Sequence, residues 1–159
     1  MQNYAGFWIR VGAYLIDAVV MLIGEWVIFS VFGVSLFGMM SLDPEASNIF
    51  ATAGGITAYG ITLIGGVLYF VLMESSAKQG TLGKMALGLV VTDTNGNRIS
   101  PARALGRYFA KILSGAILMI GFFMVAFTER KQGLHDMLAG TLVLRAKPGE
   151  AGIDIDTFA

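Results

Sequence analysis

The sequence predicts an α-helical membrane protein with two full transmembrane helices and a short third membrane segment that is re-entrant, broken or crossing. A small cytoplasmic β-hairpin, extended by a C-terminal strand, completes the predicted fold. The chain is 55% hydrophobic and only 14% charged, whereas soluble domains average about 25% charged residues. Apolar runs at residues 11–37 and 49–73 are longer than the roughly 20 residues that cross a hydrocarbon core. We expect one membrane domain over residues 1–145 and a disordered tail at 146–159.

The distribution of basic residues predicts the orientation of the spans. The loop at residues 38–48 contains no Lys or Arg, whereas the segment at 74–111 contains six basic residues. These are Lys78, Lys84, Arg98, Arg103, Arg107 and Lys111. Because cytoplasmic loops carry the excess of Lys and Arg, we expect the N-terminus and the 74–111 segment in the cytoplasm.

Residues 112–127 form a third apolar run that is short for a membrane span. At about 1.5 Å per residue the run is roughly 24 Å long, which is less than the hydrocarbon thickness of about 30 Å. Either it is re-entrant or broken with both ends in the cytoplasm, or it begins near Leu105 and crosses as a span over 105–127. Interruptions at Ser114, Gly115 and Gly121 favour the first alternative, because non-helical backbone at membrane depth needs flexible residues and protein cover.

Residues 86–100 predict a β-hairpin: a strand, a turn at Asn95-Gly96 and a returning strand. The β-branched run at 141–145 predicts a further strand. A lone hairpin is marginally stable in water, whereas a third strand would complete a small sheet. Strand pairing requires all three on one side of the membrane, so we expect the C-terminus in the cytoplasm as well.

The first span carries its polar residues on one face, beginning in "RVGAYLIDAVV" (10–20). At 100° per residue, Arg10, Tyr14, Asp17 and Glu25 fall on a stripe about 80° wide. Glu25 lies near mid-span and is a candidate for proton coupling; the alternatives are a water-filled vestibule or an oligomer contact.

Asp17 needs a partner or water, because a carboxylate at mid-helix costs about 2.5–3.5 kcal/mol in a membrane. One interpretation is an ion or proton relay, or a substrate contact. The other is a structural ion pair that locks helices together. The expected cationic partners are Arg10, which lies near the helix start, and Lys84, Arg103 or Arg107 from the following basic segment.

The second span repeats small residues every four positions, at Gly54, Ala58, Thr62 and Gly66. Such a face lets two helix backbones approach closely. The neighbour on this face is either the first helix or another subunit.

The sole histidine lies beside an aspartate, in the pair His135-Asp136. With no Ser or Cys nucleophile nearby, the pair is weak support for catalysis, and one histidine cannot build a His-rich metal site. Asp136 is expected to cap a helix or to pair with the arginines of 98–107. The chain has no cysteine and a net charge of zero, which removes thiol chemistry and any bulk basic field for nucleic acid. We therefore expect no enzymatic activity, no cofactor, no metal and no nucleic-acid partner.

Three motifs in order, "R…YLIDAVV", "GTLGKMALGLVVTDTNGNRIS" and "RKQGLHDMLAGTLV", resemble the RDD family of bacterial membrane proteins. The resemblance covers nearly the whole chain, and it implies that Arg10 and Asp17 are the family's arginine and first aspartate, with Asp136 as the second. It also implies the bacterial cytoplasmic (inner) membrane and transport of an unidentified ligand. Further motif positions are Gly80, Thr81, Gly83, Lys84, Gly88, His135 and Gly140. Glu25 matches no assigned position of the family.

Two functional hypotheses follow. The leading one is a homo-oligomeric transporter or ion-translocating protein with an intramembrane Asp/Arg site, since two full spans and a short third cannot enclose an aqueous path alone. Its expected partners are the lipid bilayer, further copies of the chain and an ion or small-molecule ligand. The alternative is a non-catalytic structural or accessory membrane module that recruits a cytoplasmic partner through the hairpin and its basic surface.

Overall fold

A computed structural model describes residues 3–40, 47–116 and 120–150, and the side chains of these ranges except 32–40, 47–54 and 120. The helices of the described part are α1 (Phe7–Met40), α2 (Ser47–Ser75), α3 (Leu82–Ala86), α4 (Pro101–Ala116), α5 (Ile120–Phe127) and α6 (Leu134–Ala139). Its strands are β1 (Leu89–Asp93) and β2 (Thr141–Arg145). Most of the predicted outer loop at 38–48 and of the predicted tail lies outside the described residues.

Two helices are long and apolar enough to cross a membrane: Phe7–Val31 within α1 and Gly55–Ser75 within α2. The third membrane segment is a bent pair, in which the axes of α4 and α5 meet at 95°. The predicted fold class is therefore confirmed, and the bend of the third segment is that of a broken span or a re-entrant loop.

Burial in these helices is the reverse of burial in a soluble protein. The apolar side chains of Leu22, Trp26 and Ile64 are exposed, whereas those of Asp17 and Glu74 are buried. Exposed apolar side chains on long helices are stable only where lipid is the solvent, and intramembrane charges turn toward protein or water. The distribution of exposed and buried residues is thus that of a membrane protein.

The face of α4 that is turned inward is partly polar. Its buried residues are Ala104, Arg107, Ala110 and Ser114, which recur at spacings of three and four and so share one side of the helix. Phe109, on another side, is exposed. Arg107 is thereby held inside the protein while α4 presents apolar surface outward.

The sheet differs from the predicted hairpin. β1 pairs with β2 in antiparallel register from Leu89 opposite Arg145 to Asp93 opposite Thr141. The turn after β1 does form, but its returning arm is reduced to one bridge, from Thr92 to Arg98. β2 matches the predicted strand at 141–145, and its second edge has a bridge to Tyr4. Each outer edge of the two-stranded sheet thus pairs with another segment of the chain at one position.

The chain divides into two compact units. The first consists of Met1–Asp17 and Leu68–Ala159, and the second of Ala18–Val67. The first unit contains both strands, the helices α3 to α6, the start of α1 and the end of α2. All of the contacts described below for the candidate site lie within this first unit.

The small-residue face of α2 lies in the second unit and packs on α1 at one position at least. A Cβ added at Gly66 would lie 3.2 Å from the Cε of Met21, and Ala58 is buried. The side chain of position 54 lies outside the described part of the chain. At Gly66, therefore, the close neighbour is the first helix of the same chain.

Gly121 permits the close packing of α4, α5 and α6. A Cβ at this position would lie 2.8 Å from the Cβ of Ser114 and 3.0 Å from the Cβ of Leu134. Ser114 itself donates a hydrogen bond to the carbonyl of Ala110, so its side chain is not free to move away. The glycine is therefore required by the space between three helices.

We expect Gly121→Val to lower the free energy of unfolding by about 1–3 kcal/mol, because overpacking forces neighbouring helices apart. Thermal unfolding of the detergent-solubilised protein measures the change. Gly106→Ala is the control, since nothing lies within 4 Å of a Cβ at Gly106. Equal losses in the two variants would contradict the packing role of Gly121.

Candidate functional site

Three carboxylates are buried in the first unit: Asp17 on α1, Glu74 near the end of α2 and Asp136 in the first turn of α6. A buried carboxylate is stable only if cations or hydrogen-bond donors replace its water. Two of the three are matched by cations and one by neutral donors, and this difference defines the site.

Asp136 is held by two arginines and by its own helix. Its Oδ1 accepts hydrogen bonds from Nε and Nη2 of Arg107, at 3.0 and 2.6 Å. Its Oδ2 forms an ion pair with Nη1 of Arg10 and accepts the backbone N–H of Gly133 at 3.2 Å. Both contacts that the sequence offered as alternatives, the helix-terminus bond and the ion pair with an arginine, are therefore present.

Glu74 is the meeting point of three cations. Its Oε2 accepts a hydrogen bond from Nη1 of Arg107 at 2.7 Å. Its Oε1 pairs with Lys84 and, at 3.1 Å, with Lys111. Arg107 therefore bridges Glu74 and Asp136, and the planar fork of a guanidinium suits such a double contact.

We call this group the ion network: Arg10, Glu74, Lys84, Arg107, Lys111 and Asp136. The network contains four cations and two carboxylates, all in the first unit. It joins the start of α1, the end of α2, α3, α4 and α6. Charged hydrogen bonds of this kind are worth about 1.5–3 kcal/mol each when buried, so the network strongly constrains how these segments meet.

Asp17 does not pair with any of the predicted cations. Its Oδ2 accepts the hydroxyl of Thr81 at 2.5 Å, and its Oδ1 accepts the backbone N–H of Gly83 at 2.8 Å and the hydroxyl of Tyr69 at 2.9 Å. Within the described residues, no Lys or Arg lies at ion-pair distance from Asp17. All three donors are neutral, so the carboxylate is hydrogen-bonded but has no counter-charge.

The expected cationic partners of Asp17 are each engaged elsewhere. Arg10 pairs with Asp136, because two helical turns put Asp17 roughly 10 Å further along the axis. Lys84 and Arg107 bind the carboxylates of the ion network. Arg103 lies near Asp93, with 3.7 Å between Nη1 and Oδ2, and is largely exposed. The prediction of an Asp17 ion pair was therefore wrong.

Gly83 makes room for Asp17, and two other motif glycines have different roles. A Cβ at Gly83 would lie 2.9 Å from the Cγ of Asp17 and would also collide with the carbonyl oxygen of Ala13. The absence of a side chain lets the backbone N–H of Gly83 reach the carboxylate. Gly80 is buried, with its Cβ position 3.0 Å from the carbonyl of Leu89, and Gly88 has a φ of 65°, a left-handed conformation that suits glycine.

The ionisation states of α3 and α6 follow from burial and charge. Burial opposes ionisation of Asp136, but Arg107 and Arg10 outweigh it and hold the pKa of this carboxyl well below its usual range. Burial lowers the pKa of His135 to about 3, with Asp136 opposing, so its imidazole is neutral at pH 7. Burial also lowers the pKa of Lys84 to about 8 against the attraction of Glu74, which leaves a cation at neutral pH.

A cavity of about 550 Å³ lies beside these groups. Its lining includes Asp17 and four cations of the ion network: Arg10, Lys84, Arg107 and Lys111. Most of the remaining lining is aromatic or aliphatic, and Glu74 and Asp136 are not part of it. The volume is in the range of small-molecule sites, roughly 300–1,000 Å³.

The other predicted site residues occupy different positions. Tyr14 and His135 line the cavity. The Nε2 of His135 lies 3.4 Å from the Oδ1 of Asp136. Glu25 belongs to the second unit, is half-buried and forms no ion pair with a described residue.

Sequence reasoning missed three residues as members of the site: Tyr69, Glu74 and Lys111. Glu74 directly follows an apolar run, which makes it look like the boundary of a span. Lys111 was predicted only as one of six cytoplasmic cations. The pattern that could have identified Glu74 and Lys111 is the pair of opposite charges at the ends of two neighbouring apolar segments.

The fold and site thus define a small membrane protein whose first, second and third membrane segments share a buried ion network beside an amphipathic cavity. The chain belongs to the RDD family, whose model matches residues 4–140. It is 40% identical over 150 residues to the uncharacterized protein YxaI of Bacillus subtilis, covering 91% of this chain and 99% of that protein. It is 36% identical to the uncharacterized membrane protein YteJ of the same organism, covering 91% and 82% of the two chains. No solved structure matches the chain.

We expect Asp136→Asn to lower the free energy of unfolding by about 3–5 kcal/mol, because it leaves two buried arginines short of a counter-charge. Asp93→Asn is a matched control, since its partner Arg103 is largely exposed at 3.7 Å and such pairs contribute about 0–1 kcal/mol. The amide oxygen of asparagine can still accept the two backbone N–H groups that Oδ1 of Asp93 binds. Chemical unfolding in detergent compares them. Similar losses in both variants would contradict the dominance of the network.

We also expect the protein to become less stable as the pH falls from about 6.5 toward 3. The folded pKa of His135, about 3, lies below its ordinary value of 6.5, so the unfolded chain binds the extra proton in this window. Each such proton is worth at most about 1.4 kcal/mol per pH unit. The measurement is the free energy of unfolding of the parent and of His135→Phe at pH values from roughly 5 to 6.5, a window between the folded and unfolded pKa values of His135. This free energy should fall with decreasing pH more steeply in the parent than in the variant. A slope that persists unchanged in His135→Phe would contradict the assignment.

Proposed function

We propose that the protein is an ion-coupled transporter without enzymatic activity, in which the cavity is the substrate chamber and Asp17 is the ion or proton site. The observation that carries this proposal is the composition of the cavity lining. One acid without a counter-charge and four cations face the same space of about 550 Å³. Ionisable groups that face an intramembrane cavity are typical of ion and substrate paths.

Asp17 is suited to exchange its charge. Its hydrogen-bond donors are neutral, so an incoming proton or monovalent cation would meet no competing Lys or Arg at the carboxylate. Asp136 is the opposite case, because two guanidiniums hold its charge in place. The proposal therefore assigns the exchangeable charge to Asp17 and a positioning role to the ion network.

Transport through this fold requires more than one copy of the chain. Two long helices and one bent pair are too few to seal an aqueous path across a bilayer, so the proposal includes a homo-oligomer. The exposed apolar surfaces of α1 and α2 are available for contacts with lipid or with another copy.

The accessory-module alternative has less support. It relied on recruitment of a partner through the hairpin and its basic surface, yet four of the five residues in each strand are buried and three of the six basic residues belong to the ion network. The proposed orientation, with both termini in the cytoplasm of a bacterial inner membrane, is retained from the distribution of Lys and Arg.

We expect Asp17→Asn to abolish coupled proton movement in proteoliposomes. A dye trapped in the lumen would report proton movement driven by imposed gradients of sodium, potassium, chloride or short-chain carboxylates. The asparagine keeps the shape of the side chain but cannot carry the proton, so the initial rate should fall by more than about tenfold. Glu129→Gln is the control, because Glu129 is exposed and lies outside the ion network and the cavity lining. Assembly is checked by size-exclusion chromatography, and unaltered proton movement in Asp17→Asn would end the proposal.

Single-cysteine labelling tests the orientation, because the chain has no native cysteine. We expect Asn95→Cys and Ile155→Cys to be protected from a membrane-impermeant maleimide in intact cells and labelled after lysis. Ser41→Cys, in the predicted outer loop, should be labelled in both conditions. Labelling at position 155 in intact cells would place the C-terminus outside and contradict the orientation.

A further inference from the structure

The ionisable groups around the cavity carry an excess of positive charge. Arg10, Lys84, Arg107 and Lys111 line it, while the two carboxylates that pair with them do not. With Asp17, the one acid on the lining, the count is four cations against three acids, a net excess of one positive charge. Excess buried charge is unfavourable in a low-dielectric environment unless a counter-ion approaches. An anion is the occupant that would neutralise this excess.

The two lysines of the lining also retain hydrogen-bond donors. Lys84 and Lys111 each have one described acceptor, the same Oε1 of Glu74, although an ammonium has three N–H groups. Lys111 is the more accessible of the two, with 21% of its side chain exposed against 11% for Lys84. Their remaining N–H groups are available to the oxygens of a bound anion.

The rest of the lining is apolar. Phe7, Phe70, Ile112, Phe122 and Phe123 contribute to it. Such a wall suits a hydrocarbon chain or ring and contributes to binding in proportion to the apolar area that is buried. A small inorganic anion would leave this part of the cavity without a matching surface.

We propose that the cavity binds an amphiphile with a phosphate-type anionic head, the head facing Lys84, Lys111 and the two arginines and the apolar body facing the aromatic wall. The head matches the excess of positive charge, since oxygens of a phosphate can accept several charged hydrogen bonds at once. Two sources share this chemistry: the headgroup of an anionic phospholipid and a soluble alkyl phosphate. The inference deepens the proposed function, because it names the substrate class of the same cavity.

A substitution of Lys111 can distinguish a role in ligand binding from a role in stabilising the fold. Glu74 keeps Arg107 and Lys84 as partners when Lys111 is removed. Lys111→Met also reduces the excess of positive charge, so the variant should remain folded. If Lys111 served only to stabilise Glu74, its removal would leave the affinity of the cavity for its ligand unchanged.

The test measures binding of hexyl phosphate by calorimetry to the full chain in phosphatidylcholine nanodiscs. We expect binding that Lys111→Met weakens by about tenfold, as expected for one charged hydrogen bond, and that Lys111→Arg largely restores. Lys78→Met is the matched control, because Lys78 is exposed and lies outside the lining. Hexanol and inorganic phosphate should each bind much more weakly than hexyl phosphate. Thermal unfolding verifies that each variant is folded.

A second set of nanodiscs, containing phosphatidylglycerol, distinguishes the two sources. Loss of hexyl phosphate binding there identifies the lipid headgroup as the occupant, and unchanged binding identifies a soluble anion. The inference is overturned if hexyl phosphate does not bind in phosphatidylcholine, if hexanol or inorganic phosphate binds equally well, or if Lys111→Met binds as the parent does. Binding of hexyl phosphate without proton movement would contradict the transporter proposal and support the ligand site. Proton movement without binding would support the transporter proposal and contradict the ligand site.

Discussion

The structure of the first unit depends on Arg107, a buried guanidinium that contacts carboxylates from two other elements. Its Nη1 binds Glu74 at the end of α2, and its Nε and Nη2 bind Asp136 on α6. A charge in this position is tolerated only when both partners are present, and each carboxylate in turn needs the guanidinium. Arg10 extends the same constraint to the start of α1 by pairing with Asp136. The mutual dependence of these charges therefore determines how the ends of the membrane segments meet, a task that the exposed apolar faces cannot perform in lipid.

Asp17 follows a different physical rule. Its oxygens are satisfied by two hydroxyl groups and one backbone N–H, so its desolvation is offset by hydrogen bonds without a counter-charge. The contact requires a glycine at position 83, because the backbone has to approach the carboxylate directly. Asp136 is thus held by cations and Asp17 by neutral donors. The two aspartates differ in the charge of their partners, which residue type alone does not reveal.

The sequence predicted what local patterns determine, and it failed where partners come from distant segments. Hydropathy identified the two spans, small residues predicted the interruption of the third segment, and the β-branched run predicted β2 at the residues where it lies. The turn at Asn95-Gly96 forms, but the returning arm of the hairpin is reduced to one bridge, and β1 pairs along its length with β2 from a distant part of the chain. A helical wheel put Arg10 and Asp17 on one face, but it could not show that Asp136, more than a hundred residues later, lies closer to the guanidinium.

Under the proposed function, the charges around the cavity would have a consequence for coupling. An anion beside Lys84 and Lys111 would make the local potential more negative, and a more negative potential would favour a proton or cation at Asp17 on the same lining. Each ligand would therefore strengthen the binding of the other, and by thermodynamic linkage the effect would be equal in both directions. The occupied cavity would be closer to neutral than the empty one, which would reduce the cost of moving charge through hydrocarbon. One acid without a counter-charge on the same lining as an excess of cations is thus the physical basis that the proposal offers for coupling an anionic substrate to an ion.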